Sequence, residues 1–210
     1  MLSGSFGKNG NFLGSVKSPD YILPIKKSHR IAEIRADFFD SRYGNALIGV
    51  DSDNNRIVWL SLVLDKSPKS KKLNLEEMET HWQPDSVKRG VSNHLPEKPG
   101  DWLFENGCVE SKKVGLGMRG TEFQHQVWNE LQKIPPGKTR TYSEIAENLG
   151  RPKSHARAIG TAIGKNTIAV LVPCHRVVGA NGKLTGFRWG LTRKQVILDW
   201  EAAESGNNAI

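Results

Sequence analysis

At Thr121 the spacing of apolar residues changes from the short runs of a sheet to the period of helices, and this divides the chain into two kinds of structure. Ahead of it, Ile34-Arg35-Ala36-Asp37-Phe38-Phe39, Ala46-Leu47-Ile48-Gly49-Val50 and Ile57-Val58-Trp59-Leu60-Ser61-Leu62-Val63-Leu64 have the pattern of strands. They are separated by Tyr43-Gly44-Asn45 and the turn-rich Asp51-Ser52-Asp53-Asn54-Asn55, which predicts a small antiparallel meander. A helix is expected over Leu73–Trp82, stopped by Pro84, and a last edge strand over Val114–Met118. After Thr121, itself an N-cap candidate, Phe123, Val127 and Leu131 share one helical face before Pro135-Pro136-Gly137 ends the helix. A short second helix follows over Tyr142–Leu149, closed by Gly150, then a third from Ser154 to Gly164 and a last one from Arg193 to Glu204. The fold class expected is α+β in two domains. The divisions are a glycine-rich leader 1–30, a sheet domain 31–117, a helical domain 118–204 and a tail 205–210.

Charge sharpens the division. The net charge of +8 sits entirely between Arg119 and Trp200, where 13 basic residues face 5 acidic ones. A surplus gathered into one block favours a polyanion, nucleic acid first. Helix, tight turn and basic helix is the outline of a helix-turn-helix, with Arg151, Lys153, Arg157 and Lys165 as candidate DNA contacts. No run reaches the ~18 apolar residues of a membrane span, and the opening residues lack the pattern of a secretory signal. A membrane partner is not expected. Two cysteines, Cys108 and Cys174, make neither a disulfide framework nor a Cys-rich zinc site, so no metal is expected.

Ile168-Ala169-Val170-Leu171-Val172 is patterned as a buried strand and leads into Pro173-Cys174-His175-Arg176-Val177. A cysteine directly after proline is held on a rigid turn. Its thiol becomes a good nucleophile when a base or cation stands beside it, and His175 and Arg176 supply both. Neighbours on a strand point to opposite faces, so His175 reaches the sulfur only if the chain bends or a water bridges them. An imidazole base needs a third group to orient it, and Glu201 in the last helix is the candidate. Cys108, in Asn106-Gly107-Cys108-Val109 with no histidine near it in sequence, reads as structural or incidental.

Taken together, these segments resemble the O6-alkylguanine-DNA alkyltransferases, and most closely the bacterial type similar to the C-terminal half of the adaptive-response protein. The resemblance rests on Pro173-Cys174-His175-Arg176-Val177 together with Gly120-Thr121-Glu122-Phe123-Gln124-His125-Gln126-Val127-Trp128, Ile134-Pro135-Pro136-Gly137, Thr141-Tyr142 and Gly186-Phe187-Arg188-Trp189-Gly190. It is dense over Met118–Glu204 and looser over Ile31–Glu110. It implies a ribonuclease-H-like N-terminal domain and a winged-helix or helix-turn-helix-like catalytic domain. It also implies irreversible, single-turnover transfer of the alkyl group from O6-alkylguanine, and from O4-alkylthymine, in duplex DNA to Cys174, with no cofactor. His175 then matches the residue taking the thiol proton through a water, Glu201 the carboxylate bound to it, and Asn166 the brace of the active-site turns. Arg157 matches the finger that fills the duplex when a nucleotide is rotated out, and Tyr142 the tyrosine that assists rotation. Val177, Phe187, Arg188 and Trp189 fall at the substrate pocket. Binding through the minor groove implies little sequence preference. A monomer is expected, cytoplasmic in a bacterium and nuclear in a eukaryote.

Three departures stand out. Pro152-Lys153-Ser154-His155-Ala156-Arg157 is one residue longer before the finger than the family pattern. Trp189 is bulky where some relatives have a small residue, which would restrict large O6 substituents. The chain has no Cys-rich segment, so a second, phosphotriester-repairing thiol is not expected. Other readings are a non-catalytic protein that recognises alkylated DNA, a DNA-binding regulator and a cysteine protease. The first replaces the acceptor cysteine, the second would prefer one DNA sequence, and the third leaves the basic helices without a purpose.

Overall fold

A computed structural model describes residues 22–26, 28–91, 95 and 115–207. Cys108 lies outside the described residues, as do the leader up to Tyr21 and the loops around Pro96 and Pro99. The meander is present as β2 (Glu33–Ser41), β3 (Gly44–Asp51) and β4 (Arg56–Leu62), paired antiparallel. Three further strands extend it: β1 (Ile22–Ile25), β5 (Ser86–Arg89) and β6 (Gly115–Arg119). The order across the six-stranded sheet is β1-β6-β4-β3-β2-β5, and the flanking pairings are all parallel.

Side-chain alternation along the strands accounts for the layers. Ala46, Ile48 and Val50 of β3 and Leu60 and Leu62 of β4 face the helices that follow the sheet, and join Val127, Trp128, Ile163 and Val172 in one core. Ile34, Leu47 and Val58 face the opposite way and meet α1 (Pro68–Trp82) through Met78 and Trp82. Trp82 donates its indole N–H to the carbonyl of Val58 at 3.2 Å, which fixes α1 on the sheet.

The helical layer comprises α2 (Glu122–Leu131), α3 (Tyr142–Asn148), α4 (Ala156–Gly164) and α5 (Leu191–Asn207). Thr121 and Thr141 each begin a helix with a reciprocal capping box, to Gln124 and Glu144. Trp128 of α2 donates to the carbonyl of Ala162 on α4 at 3.1 Å, and so sets the two helices against each other.

Several expectations are corrected. Val114–Met118 was expected at an edge, but β6 lies between β1 and β4, because Ile22–Ile25 from the stretch set apart as leader pairs with its outer side. α1 begins at Pro68, five residues ahead of Leu73, because Ser67 caps it and Pro68 tolerates the first turn. The charged Lys69–Lys72 segment hid this start from apolar periodicity. The third helix expected from Ser154 is a 3-10 turn over Lys153–His155 that leads into α4. α5 runs from Leu191 through Asn207, beyond the expected limits at both ends and into the stretch set apart as a tail.

The largest correction concerns 168–172, which forms successive turns and not a strand. A single bridge joins Ile168 to Leu60 of β4, after which Leu171 N–H bonds Ala169 C=O and Cys174 N–H bonds Val172 C=O. Val170 holds φ at 62°, a conformation that costs a β-branched residue about 1–3 kcal/mol.

One prediction tests the fit of α1 on the sheet. A Cβ at Gly49 would stand 2.6 Å from Met78 Sδ and 3.1 Å from Trp59 Cβ. Gly49→Ala should therefore lower unfolding free energy by about 1–3 kcal/mol in urea titrations.

Candidate active site

Cys174 opens a one-turn 3-10 helix, Cys174–Arg176, so the chain bends here and the opposite-face geometry of a strand does not apply. The three residues fan outward, so thiol, imidazole and guanidinium each enter the interior. Asn166, just past the end of α4, holds the chain before this turn. Its Oδ1 accepts from Ile168 N–H at 2.9 Å, while its Nδ2 lies 3.0 Å from Val172 O, 3.2 Å from Ile168 O and 3.2 Å from Cys174 Sγ. The brace and the thiol's hydrogen bond thus come from one buried amide.

Behind the thiol, Glu201 of α5 collects the charged groups. Its Oε1 lies 2.9 Å from His175 Nε2, and Arg176 reaches both oxygens, with Nη2–Oε1 at 2.7 Å and Nε–Oε2 at 3.0 Å. Gly137 N–H donates to Oε2, and the remaining Arg176 nitrogen donates to Ile134 O at 2.6 Å. Burial alone would raise the Glu201 carboxyl, but the hydrogen bonds and charges of His175 and Arg176 outweigh it and hold the pKa at about 2. An ionised carboxylate only accepts, so His175 carries its proton on Nε2. Burial also lowers the pKa of His175, against the opposing pull of Glu201, so the ring is neutral. Nδ1 is then a buried lone pair with no partner among the described residues. A neutral base is thus aimed away from its orienting carboxylate.

The thiol is held in its protonated form. Burial pushes its pKa up to about 11, opposed by the Asn166 hydrogen bond and the charges of Lys194 and Arg188. Lys194 was not anticipated. It is wholly buried on α5, and its ammonium donates to Val177 O, to Thr185 O at 2.7 Å and to Gly186 O at 3.3 Å. Burial lowers its pKa to about 8. The available signal was helical spacing: Lys194, Ile197 and Glu201 recur at three and four residues, the inward face of α5.

In front of the thiol is a cavity of about 220 Å³. Its walls are Tyr142, Gly160, Ile163, Gly164, Asn166, Gly186, Phe187, Arg188 and Trp189, with Cys174 among them. The volume falls below the ~300–1,000 Å³ of sites for drug-sized ligands, and suits one flat heterocycle. Phe187 and Trp189 meet edge to face at 5.2 Å, and the Tyr142 hydroxyl donates to Thr185 O at 3.3 Å. Val177 does not line the cavity; it is fully buried, with its carbonyl taken by Lys194.

The expected DNA contacts are distributed unevenly. Arg157 is exposed as the second residue of α4 and borders an open groove of about 630 Å³ between α4 and the start of α2. Lys165 is exposed on a separate cleft of about 570 Å³, and Lys153 is exposed and paired with Glu147 at 3.3 Å. Arg151 is half-buried, its guanidinium 4.8 Å from the Phe123 ring and its Nη2 3.4 Å from Gln126 Oε1.

With this geometry established, comparison with known proteins is informative. Residues 122–203 match the family model described as 6-O-methylguanine DNA methyltransferase, DNA binding domain. A methylated-DNA–protein-cysteine methyltransferase of Mycobacterium bovis is 44% identical over 131 residues, covering 62% of this chain and 75% of that protein. The chain belongs to this family. The protein of the same name from Methanosarcina acetivorans is 55% identical over 97 residues, 46% of this chain and 62% of its own length. Among solved structures, the Mycobacterium tuberculosis OGT in complex with DNA is similar at a TM-score of 0.60, with 32% identity over 82% of this chain and 94% of that one. The family segment contains Cys174, His175, Asn166, Glu201, Tyr142 and Arg157.

A stability prediction follows from the buried charges. Glu201 has its pKa depressed from 4.5 to about 2, and His175 has its own lowered from 6.5, so each adds stability above its unfolded value that is lost as pH falls. Urea midpoints should hold between about pH 7 and 8, below the range where Lys194 and Cys174 titrate, and decline from about 6.5 downward. Glu201→Gln, which strands the Arg176 charge, should lose about 3–5 kcal/mol at pH 7.

Proposed function

We propose that this chain performs direct-reversal DNA repair, taking the alkyl group from O6-alkylguanine, and from O4-alkylthymine, in duplex DNA onto Cys174, once per molecule. The observation that carries the reading is the placement of the Cys174 thiol on the wall of a base-sized cavity, with the neutral, carboxylate-oriented His175 next in the chain. His175 Nδ1 accepts the thiol proton through a bridging water. The thiolate attacks the alkyl carbon in line, the S–C bond forms as the C–O6 bond breaks, and the restored guanine, still in its strand, takes up the proton that left the thiol. The thioether is stable, so the sulfur is consumed. The charges of Lys194 and Arg188 favour the transient thiolate, and the Asn166 amide donates to it.

The target atom lies within a base stack, so the nucleotide must be turned out. Arg157, exposed at the start of α4, suits the finger that fills the vacated space. Gly160 lies on the cavity wall beside Tyr142, which suits close approach to the extruded base. The small residues Ala156, Ala158 and Gly160 keep α4 slim enough for the minor groove. We also read the sheet layer as ribonuclease-H-like, on its antiparallel β2–β3–β4 unit, and the helical layer as winged-helix-like. We read the protein as a monomer working wherever the cell keeps its duplex DNA, cytoplasm or nucleus. The presence of Cys174 opposes a purely recognising role.

Intact-mass spectrometry after incubation with an O6-methylguanine duplex should show one added methyl group, located on the Cys174 peptide. An unmodified protein, or a methyl group elsewhere, would end this reading. Cys174→Ser should abolish transfer and leave DNA binding intact.

Filling the stack is worth a few kcal/mol. Arg157→Ala should therefore slow transfer from duplex by on the order of 10–100-fold, with little change on free O6-alkylguanine base. Affinity for undamaged duplex should fall linearly on a log–log plot against salt.

A further inference from the structure

The loop that walls the cavity is anchored on most sides by the helical layer. Lys194 holds Thr185 and Gly186, Tyr142 holds Thr185, and Gly190 N–H closes back on Phe187 O at 3.0 Å. Arg188 is different. Its guanidinium leaves the cavity wall and pairs with Glu77 on α1, across the sheet from the helices. The same guanidinium lies 5.6 Å from the Trp59 ring and 3.4 Å from Asn166 O. Arg188 also stands on the wall of a second cleft of about 570 Å³, bordered by Glu77 and His81, so one side chain lines both this cleft and the thiol's cavity.

We propose that Glu77 is a positioning residue for alkyl transfer: by holding Arg188 from the sheet side, it sets the Phe187–Trp189 wall at the spacing a flat purine needs. The inference rests on the transfer reading above, and extends it to a residue outside the family segment at 122–203. Glu77 touches neither thiol nor substrate. It acts through Arg188, whose backbone continues directly into the two rings that bound the cavity. The pair is half-exposed, so its contribution is modest and is felt as a change in how well the wall is formed, not in the chemistry at sulfur.

The alternative to exclude is an ordinary surface carboxylate that merely repels DNA. Transfer kinetics with free O6-alkylguanine base separate the two. Glu77→Gln should raise the half-saturating base concentration about two- to fivefold, the range expected from a pair of this exposure, with the maximal rate at Cys174 unchanged. Arg188→Gln, which also removes a charge that favours the thiolate, should raise the half-saturating concentration at least as much and lower the maximal rate as well, and the double variant should be no worse than Arg188→Gln alone. A Glu77→Gln protein with wild-type free-base kinetics and tighter duplex binding would overturn the proposal, as would additive losses in the double variant. Hydrogen exchange of the peptide covering 185–190 gives a readout independent of transfer. It should quicken in Glu77→Gln with exchange in α2 unchanged, and no change at 185–190 would also overturn the proposal. A wild-type chain that accepts no alkyl group would defeat the transfer reading alone, and exchange would still judge the tie.

Discussion

The site depends on one buried carboxylate. Glu201 brings an imidazole, a guanidinium and a backbone amide to the same two oxygens, in a place where an unpaired charge would be intolerable. Because the carboxylate is ionised, it fixes the tautomer of His175. Because Arg176 neutralises it, the imidazole need not carry a charge at rest. The same contact docks α5 on the Cys174 turn and on the Pro135-Pro136-Gly137 bend, so the base is oriented by the interaction that closes the helical layer.

A thiol pushed up to about 11 is an unexpected nucleophile, yet the physics suits a residue that reacts once. A thiolate standing ready at neutral pH would be exposed to any electrophile or oxidant small enough to enter. Burial instead keeps the sulfur protonated and inert. Activation then requires a partner that fills the cavity, excludes bulk water and brings the reacting carbon into line. Lys194 and Arg188 place positive charge around the sulfur without forming an ion pair with it at rest, so their favourable effect is larger when the thiolate appears than before.

How much of this was legible in the sequence varies with the physical cause. The β2–β3–β4 meander and the start of α2 could be read from local patterns, because alternation and a Thr cap are written in adjacent residues. Cys174, His175 and Glu201 could be named as candidates, and His175 does meet Glu201, one residue along the chain from the thiol. Three features could not be read. β1 and β6 pair in parallel across more than ninety residues, a relation no local window contains. The run 168–172 has the composition of a buried strand because it is buried, but its backbone bonds are spent on turns held by Asn166 and Leu60. Lys194 looks like a surface lysine until its place on the inward face of α5 is known, and the Glu77–Arg188 pair joins residues that share no pattern at all.

The turns before Cys174 show why the sheet matters to chemistry performed in the helical layer. Leu60 of β4 exchanges two backbone hydrogen bonds with the segment before the nucleophile, donating to Thr167 O at 3.0 Å and accepting from Ala169 N–H at 2.7 Å. From this fixed point the chain must reach Cys174 within five residues of Ala169, and it does so only by passing through the left-handed conformation at Val170. Strain of that kind persists where its surroundings over-determine it. Here they do: the central strand fixes one end, the Asn166 amide spans the middle, and the Cys174–Arg176 turn, clamped by Glu201, fixes the other. The sulfur's position is therefore set jointly by both layers, and α1, which meets β4 on the other face of the sheet, supplies through Glu77 the remaining contact to the cavity's rim.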